Sequence, residues 1–131
     1  MHPLKKILLY LQAVFYLGAG ANHFIHPDFY LAMMPPYLPW PSALQLTAGA
    51  CEMAFGAMLL FPRTRVLAAW GLIALLIAVF PANLNLALHP ELMPGVSPVS
   101  QWVRLPFQLL FLAWAYLFTR TGRPTDRSVT P

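Results

Sequence analysis

The chain has 131 residues and a net charge of +4, with 59% hydrophobic and only 9% charged residues. In a soluble domain about a quarter of all residues are charged. The low charged fraction of this chain therefore excludes an ordinary water-exposed surface and indicates an integral membrane protein. The basic residues lie in short clusters at the ends of apolar segments, a placement typical of membrane topology rather than of nucleic-acid binding.

Four apolar segments are each close to the roughly 17–25 residues that a helix needs to cross a bilayer core. They cover residues 7–24, 43–61, 66–88 and 102–118. The sequence therefore predicts an all-α, four-helix membrane bundle over residues 1–119, followed by a basic tail over residues 120–131.

The distribution of Lys and Arg predicts how the bundle is oriented. The two loops at residues 26–41 and 89–101 contain neither, whereas the N-terminus, the turn at 62–65 and the tail contain all of them apart from Arg104. The positive-inside rule then places both termini in the cytoplasm, with two outer loops. The first of these loops is rich in aromatic residues and has five prolines, so we expect it either to lie in the membrane interface or to fold over the bundle mouth as a lid.

An internal repeat with an offset of 63 residues indicates a duplicated helical hairpin. Residues 22–28, Asn-His-Phe-Ile-His-Pro-Asp, match residues 85–91, Asn-Leu-Ala-Leu-His-Pro-Glu, and the same offset carries Gln45 onto Gln108. The alternative is coincidence in an apolar sequence. The matched residues, however, include Asn, His and Gln, which are less common in this chain than apolar residues such as Leu. Glu52 aligns with Ala115, so only the first copy carries an acid.

Glu52 lies near the middle of an apolar segment, roughly 15 Å below its outer end at a rise of about 1.5 Å per residue. A carboxylate at that depth costs on the order of 3 kcal/mol or more unless it is paired, hydrated or protonated. Because the polar residues of the other segments also concentrate in the outer half, we predict that they face Glu52 and form a polar pocket there.

The candidate catalytic residues are Glu52 and His23, which would form a proton-exchanging pair. The candidate ligand-binding residues are polar side chains of the same outer half: Arg104, Gln108, Asn83, Asn85, Gln45 and Asn22. The alternatives are that Glu52 is a structural carboxylate tied to Arg104 or an amide, that Arg104 anchors the bundle at the interface, and that the amides join helices. No metal site is expected, because the histidines lack a third ligand at suitable spacing.

Small residues and prolines predict local geometry. Gly18, Gly20, Gly49 and Gly56 would let helices approach closely. Pro106 falls in the first turn of the segment predicted at 102–118, where a proline costs little.

The chain also resembles the DoxX-like family of small bacterial membrane proteins. The resemblance spans residues 5–116 and rests on the segments AGANHFIHPDF (19–29), MPPYLP (34–39), GACE (49–52), PRTRVLAAWG (62–71), FPAN (80–83) and WVRLPFQ (102–108). It implies a four-helix inner-membrane protein, and for some relatives a link to thiosulfate–quinone oxidoreduction or to complexes that handle oxidative and thiol stress. By position, it also places His23, Glu52, Asn83, Arg104 and Gln108 within family-like motifs.

Three functions follow from these observations. The first is a subunit of a membrane redox system that binds a quinone-like molecule around Glu52, with electrons from a partner oxidoreductase. The second is a non-catalytic scaffold on which a partner enzyme docks. The third is a small-solute binder or carrier, which would need a homo-oligomer because four spans are few. The chain has no C-x-x-C motif and no paired mid-span histidines for haem, which argues against self-contained electron transfer.

Overall fold

The computed structural model describes residues 1–120, and within this range the chain is helical and has no strand. The elements are α1 (Pro3–Ile25), α2 (Pro27–Met33), α3 (Pro41–Leu59), α4 (Arg65–Leu88), a short 3-10 helix (Pro90–Leu92) and α5 (Pro98–Tyr116). The predicted all-α class is confirmed. The basic tail predicted at 120–131 lies, apart from its first residue, outside the described residues.

Four helices begin with a proline, at Pro3, Pro27, Pro41 and Pro98. Proline suits the first helical position because its fixed φ is already helical and its missing N–H has no partner there. This explains the start of α5, which begins four residues before the predicted segment. The prediction for Pro106 was therefore wrong, because this residue lies in the interior of α5 and leaves the carbonyl of Trp102 without its helical donor.

Among the described helices, α4 alone is long and apolar enough to cross a membrane by length and composition, with a mean hydropathy of 2.1 in its most apolar stretch. The other three long helices correspond to the remaining predicted spans and do not reach that hydropathy. They carry the polar residues of the predicted pocket, such as Gln45 and Glu52 on α3, and these lower the mean. A membrane span is thus indicated weakly and for one helix.

The long helices pack in chain order, α1 against α3, α3 against α4 and α4 against α5, whereas α1 and α5 touch at few positions. Glycines allow the closest approach. A Cβ on Gly20 would lie 2.5 Å from Cγ of Met53 and 2.6 Å from the carbonyl oxygen of Gly49, so α1 and α3 are in backbone contact. The prediction for Gly18 was wrong, since nothing lies within 4 Å of its Cβ position.

Two apolar clusters lie at opposite ends of the bundle. The inner cluster is the larger and includes Leu9, Leu59, Leu72 and Phe118. The outer cluster contains Met33, Leu86 and Met93, which bring α2 and the loop after α4 together over the bundle mouth. The predicted polar half lies between them.

The repeated motif ends two helices in the same backbone conformation. His26 follows α1 with φ −126° and ψ 63°, and its N–H donates to the carbonyl of Asn22 at 2.8 Å. His89 follows α4 with φ −128° and ψ 68°, and its N–H donates to the carbonyl of Asn85 at 2.9 Å. The two copies of the motif are thus structurally equivalent, while the duplication itself stays a prediction.

Candidate functional site

A cavity of about 520 Å³ lies between the four long helices, beneath α2. Most of its wall is apolar, contributed by side chains such as Phe15, Val79 and Phe107. The polar and charged side chains on the wall are Tyr16, His23, Tyr30, Gln45, Glu52, Asn83, Arg104 and Gln108. An apolar cavity with a few convergent polar groups is the form that small-molecule sites commonly take.

His23 and Glu52 meet on the wall formed by α1 and α3. Nε2 of His23 lies 3.5 Å from Oε2 of Glu52, and both side chains are largely shielded from solvent. On the other side of the ring, Nδ1 of His23 lies 3.2 Å from Oε1 of Gln45. One imidazole therefore links the acid to the neighbouring amide.

This arrangement assigns a role to each ring nitrogen. With Oε1 of Gln45 facing the ring, this contact is a hydrogen bond in the tautomer of His23 that carries its proton on Nδ1. Nε2 is then the nitrogen that faces Glu52, either as an acceptor from the protonated acid or as a donor to the carboxylate. The two atoms are 3.5 Å apart and form no hydrogen bond in this structure, and a closer approach would let them exchange a proton.

The opposite wall, formed by α4 and α5, is held by amides. Nδ2 of Asn83 donates to Oε1 of Gln108 at 2.8 Å, and Nε2 of Gln108 donates to the carbonyl of Leu76. Arg104 lies one turn above Gln108, with its guanidinium 5.4 Å from the ring centroid of Phe29. Within residues 1–120 Arg104 pairs with no carboxylate.

Helix α2 covers the outer end of the cavity, as expected for a lid. The ring of Tyr30 stacks on that of His23, with centroids 3.6 Å apart and planes at 14°. Nδ2 of Asn22 donates to the Tyr30 hydroxyl at 2.7 Å, and Nδ2 of Asn85 donates to the carbonyl of Met33 at 3.2 Å. Burial raises the pKa of the Tyr30 hydroxyl, and although the Asn22 hydrogen bond opposes the rise, the hydroxyl is neutral at physiological pH.

Six of the eight predicted site residues line this one cavity: His23, Gln45, Glu52, Asn83, Arg104 and Gln108. The two others, Asn22 and Asn85, do not line it and instead hold α2 in place. They are equivalent positions of the repeated motif, so both halves of the bundle contribute one asparagine to the lid.

Two residues of the site were not among the residues predicted from the sequence. Tyr16 lines the cavity, and its hydroxyl has no hydrogen-bond partner among the described residues. The heptad spacing between Tyr16 and His23 placed both on one face of α1 and could have identified it. Tyr30 could not be found in this way, because its stacking on His23 depends on how the lid folds back.

Residues 12–119 match a family described as a domain of unknown function, DUF8561. The chain belongs to the DUF8561 family. No curated protein and no solved structure matches it. The matched region includes every residue of the cavity wall, so the site lies within the DUF8561 domain. The resemblance to DoxX-like proteins is not tested by this match and stays a prediction.

Proposed function

We propose that this DUF8561 protein is a four-span protein of the bacterial inner membrane, with both termini in the cytoplasm. The surface supports this, because large apolar side chains on all four long helices are exposed, among them Val14, Leu46, Leu67, Ile77 and Leu109. In α4, 17% of the most apolar stretch is buried, whereas a core helix of a soluble protein would be mostly buried. Lipid would cover this surface.

Labelling of single cysteines tests the proposed topology. In a Cys51→Ala background, Asp28→Cys and Ser97→Cys are expected to react with a membrane-impermeant maleimide in intact spheroplasts. Pro62→Cys, in the turn between α3 and α4, is expected to react only after lysis, because charged reagents do not cross the bilayer. Labelling of Pro62→Cys from outside would contradict the topology, and equal labelling of all three positions in the soluble fraction would contradict membrane insertion.

We further propose that the cavity binds a quinone-like molecule and that the protein serves a membrane redox system. The observation that carries this proposal is the His23–Glu52 pair on the wall of an otherwise apolar cavity. Reduction of a quinone to a quinol consumes two electrons and two protons. The pair supplies a site that can give and take a proton, while the apolar wall suits a ring that dissolves in lipid.

The remaining polar groups fit a molecule with carbonyl oxygens. Arg104 on one wall can donate hydrogen bonds to such an oxygen, because no carboxylate among the described residues occupies it. Oε2 of Glu52 and the hydroxyl of Tyr16 lack hydrogen-bond partners in residues 1–120. Such buried polar atoms cost about 1–3 kcal/mol each when left unpaired, so a bound polar head that reached them would be stabilised.

Electrons would come from a partner oxidoreductase, in line with the resemblance to DoxX-like proteins. The chain itself would bind the quinone, hold one carbonyl oxygen near Glu52 and deliver one of the two protons to it, while the second proton would come from water. His23 would return a proton to Glu52 through Nε2, while its Nδ1 stays bonded to Gln45.

Binding to the wild-type protein tests this proposal. The protein in lipid nanodiscs is expected to bind a short-tailed quinone at a single saturable site, measured by quenching of tryptophan fluorescence. Mass spectrometry of the purified protein is expected to detect a co-purifying quinone. The Gly18→Ala variant is a control that should bind equally, because its Cβ meets nothing within 4 Å. Absence of saturable binding and of any co-purifying quinone would contradict the proposal.

A scaffold function is the second candidate, and the amide contacts favour it. The Asn83–Gln108 and His23–Gln45 contacts each join two helices, as polar groups that hold membrane helices together do. In that case the polar cluster would determine assembly, and a partner enzyme would dock on the bundle. The third candidate, a solute carrier formed by a homo-oligomer, has no observation of its own to support it.

A further inference from the structure

The cavity reaches the outer surface of the bundle along one side. Three side chains on its wall are exposed, namely Phe15, Val103 and Phe107 at 43%, 42% and 50%, and the rest are buried or half-buried. Phe15 belongs to α1, while Val103 and Phe107 belong to α5. The exposed part of the wall therefore lies where α1 and α5 meet.

This seam between α1 and α5 is closed only in its inner part. The rings of Phe15 and Phe111 stack there with centroids 5.0 Å apart, and Nε1 of Trp114 donates to the carbonyl of Leu8 at 3.1 Å. Above Phe15, no side-chain hydrogen bond joins the two helices within the part of the chain that the structure describes. The upper seam is thus held by few contacts and is lined by apolar groups.

The other ways out of the cavity are covered. Tyr30 and Met33 of α2 lie over the outer end, and contacts to α1 and α4 hold them there. The inner end is sealed by the buried cluster that includes Leu9 and Phe118. The α1–α5 seam therefore remains as the opening, and in a membrane it faces lipid.

We propose that the ligand of this cavity has a long apolar tail, as an isoprenoid quinone has, and that this tail leaves the cavity between α1 and α5 to lie in the bilayer. This inference rests on the proposed function and adds the class of ligand and its route. A cavity of about 520 Å³ accommodates a head group, because sites of about 300–1,000 Å³ enclose drug-sized molecules. A tail of several isoprenoid units would extend beyond it.

The chemistry of the mouth agrees with a tail that enters from lipid. Phe15, Val103 and Phe107 carry no charge and no hydrogen-bonding side-chain group, so they favour an alkyl chain over a hydrated solute. His23 and Glu52 lie across the cavity, on the wall formed by α1 and α3, while Arg104 lies beside Val103 on α5. An amphipathic molecule would therefore enter with its polar head first.

Photo-crosslinking with two probes tests the route. Wild-type protein in nanodiscs is incubated with an isoprenoid quinone that carries a diazirine either on its head ring or on its second isoprenoid unit. The head probe is expected to label residues near Glu52, and the tail probe is expected to label α1 near Phe15 and α5 near Val103 and Phe107. Excess unlabelled quinone should abolish both signals.

The outcomes separate the route from the function. If the head probe labels the cavity but the tail probe labels α2 or the α3–α4 surface, the route is wrong and the quinone site stands. If neither probe gives competable labelling, the quinone site itself is wrong.

A matched pair of variants gives a second measurement. Val103→Trp narrows the mouth and is expected to weaken binding of the long-tailed quinone at least about tenfold, since the bulkier side chain fills the space through which the tail leaves the cavity. Leu110→Trp changes an exposed residue of the same helix outside the cavity wall and should leave affinity unchanged. Binding of a tailless quinone should fall less than binding of the long-tailed quinone in Val103→Trp, because its head does not need the mouth. Equal affinity of wild type and Val103→Trp for the long-tailed quinone would overturn the route.

Discussion

Replacing Gly20 with alanine is expected to destabilise the bundle by about 3 kcal/mol or more, which is at the upper end for overpacked sites. The added Cβ would lie 2.5 Å from Cγ of Met53, 2.6 Å from the carbonyl oxygen of Gly49 and 2.8 Å from the backbone N of Met53. The side chain of Met53 can move, but the two backbone atoms can move only if α1 and α3 separate. Separation would also disturb the contacts of His23 with α3.

Gly18, two residues earlier on the same helix, provides the control. Its Cβ would meet nothing within 4 Å, so Gly18→Ala is expected to be neutral or to stabilise the protein by up to about 1 kcal/mol through its higher helix propensity. Thermal unfolding in detergent, followed by circular dichroism, measures both variants. Equal unfolding temperatures for Gly20→Ala and Gly18→Ala would show that α1 and α3 are not in backbone contact.

Replacing Glu52 with glutamine is expected to slow proton-coupled reduction of a bound quinone by about 10²-fold or more, the range usual for loss of a general acid. Glutamine keeps the shape of the side chain but cannot exchange a proton with Nε2 of His23. Electrochemistry on nanodiscs adsorbed to an electrode measures the rate, because the electrode supplies the electrons in place of the partner enzyme. Affinity for the quinone should change less than the rate.

The same variant distinguishes the redox proposal from the scaffold. An acid inside the apolar part of a membrane protein is costly, so Glu52→Gln should leave thermal stability unchanged or raise it. A scaffold held together by Glu52 would lose stability and show no selective loss of the reduction rate. Glu91→Gln is the matched control, because Glu91 also faces a histidine, with 3.2 Å between its Oε1 and Nδ1 of His89, but on the exposed surface.

Much of the site could be predicted because helical periodicity and depth are readable from sequence. Gln45 and Glu52 are seven residues apart and so share a face of α3, and a mid-span carboxylate requires polar neighbours at its own depth. His23 is at the right depth on α1, and the structure places it 3.5 Å from Glu52.

What could not be predicted depends on how separate elements meet. Asn22 is at the same depth as His23 but points to α2, where it binds Tyr30. Gly18 and Gly20 are alike in sequence, yet only Gly20 faces α3, and two residues correspond to about 200° of rotation around a helix. The start of α5 at Pro98 depended on a local proline signal that outweighed the apolar pattern beginning at Trp102.

The lid has a consequence for kinetics. Helix α2 has seven residues, too few to be stable alone, and it stays over the cavity through the stacking of Tyr30, the hydrogen bonds from Asn22 and Asn85, and the packing of Met33 in the outer cluster. These contacts are few, so α2 would detach far more often than the bundle unfolds. The frequency of that detachment would set how fast Glu52 exchanges protons with the non-cytoplasmic side. It would therefore also set how long Glu52 stays protonated or deprotonated during turnover.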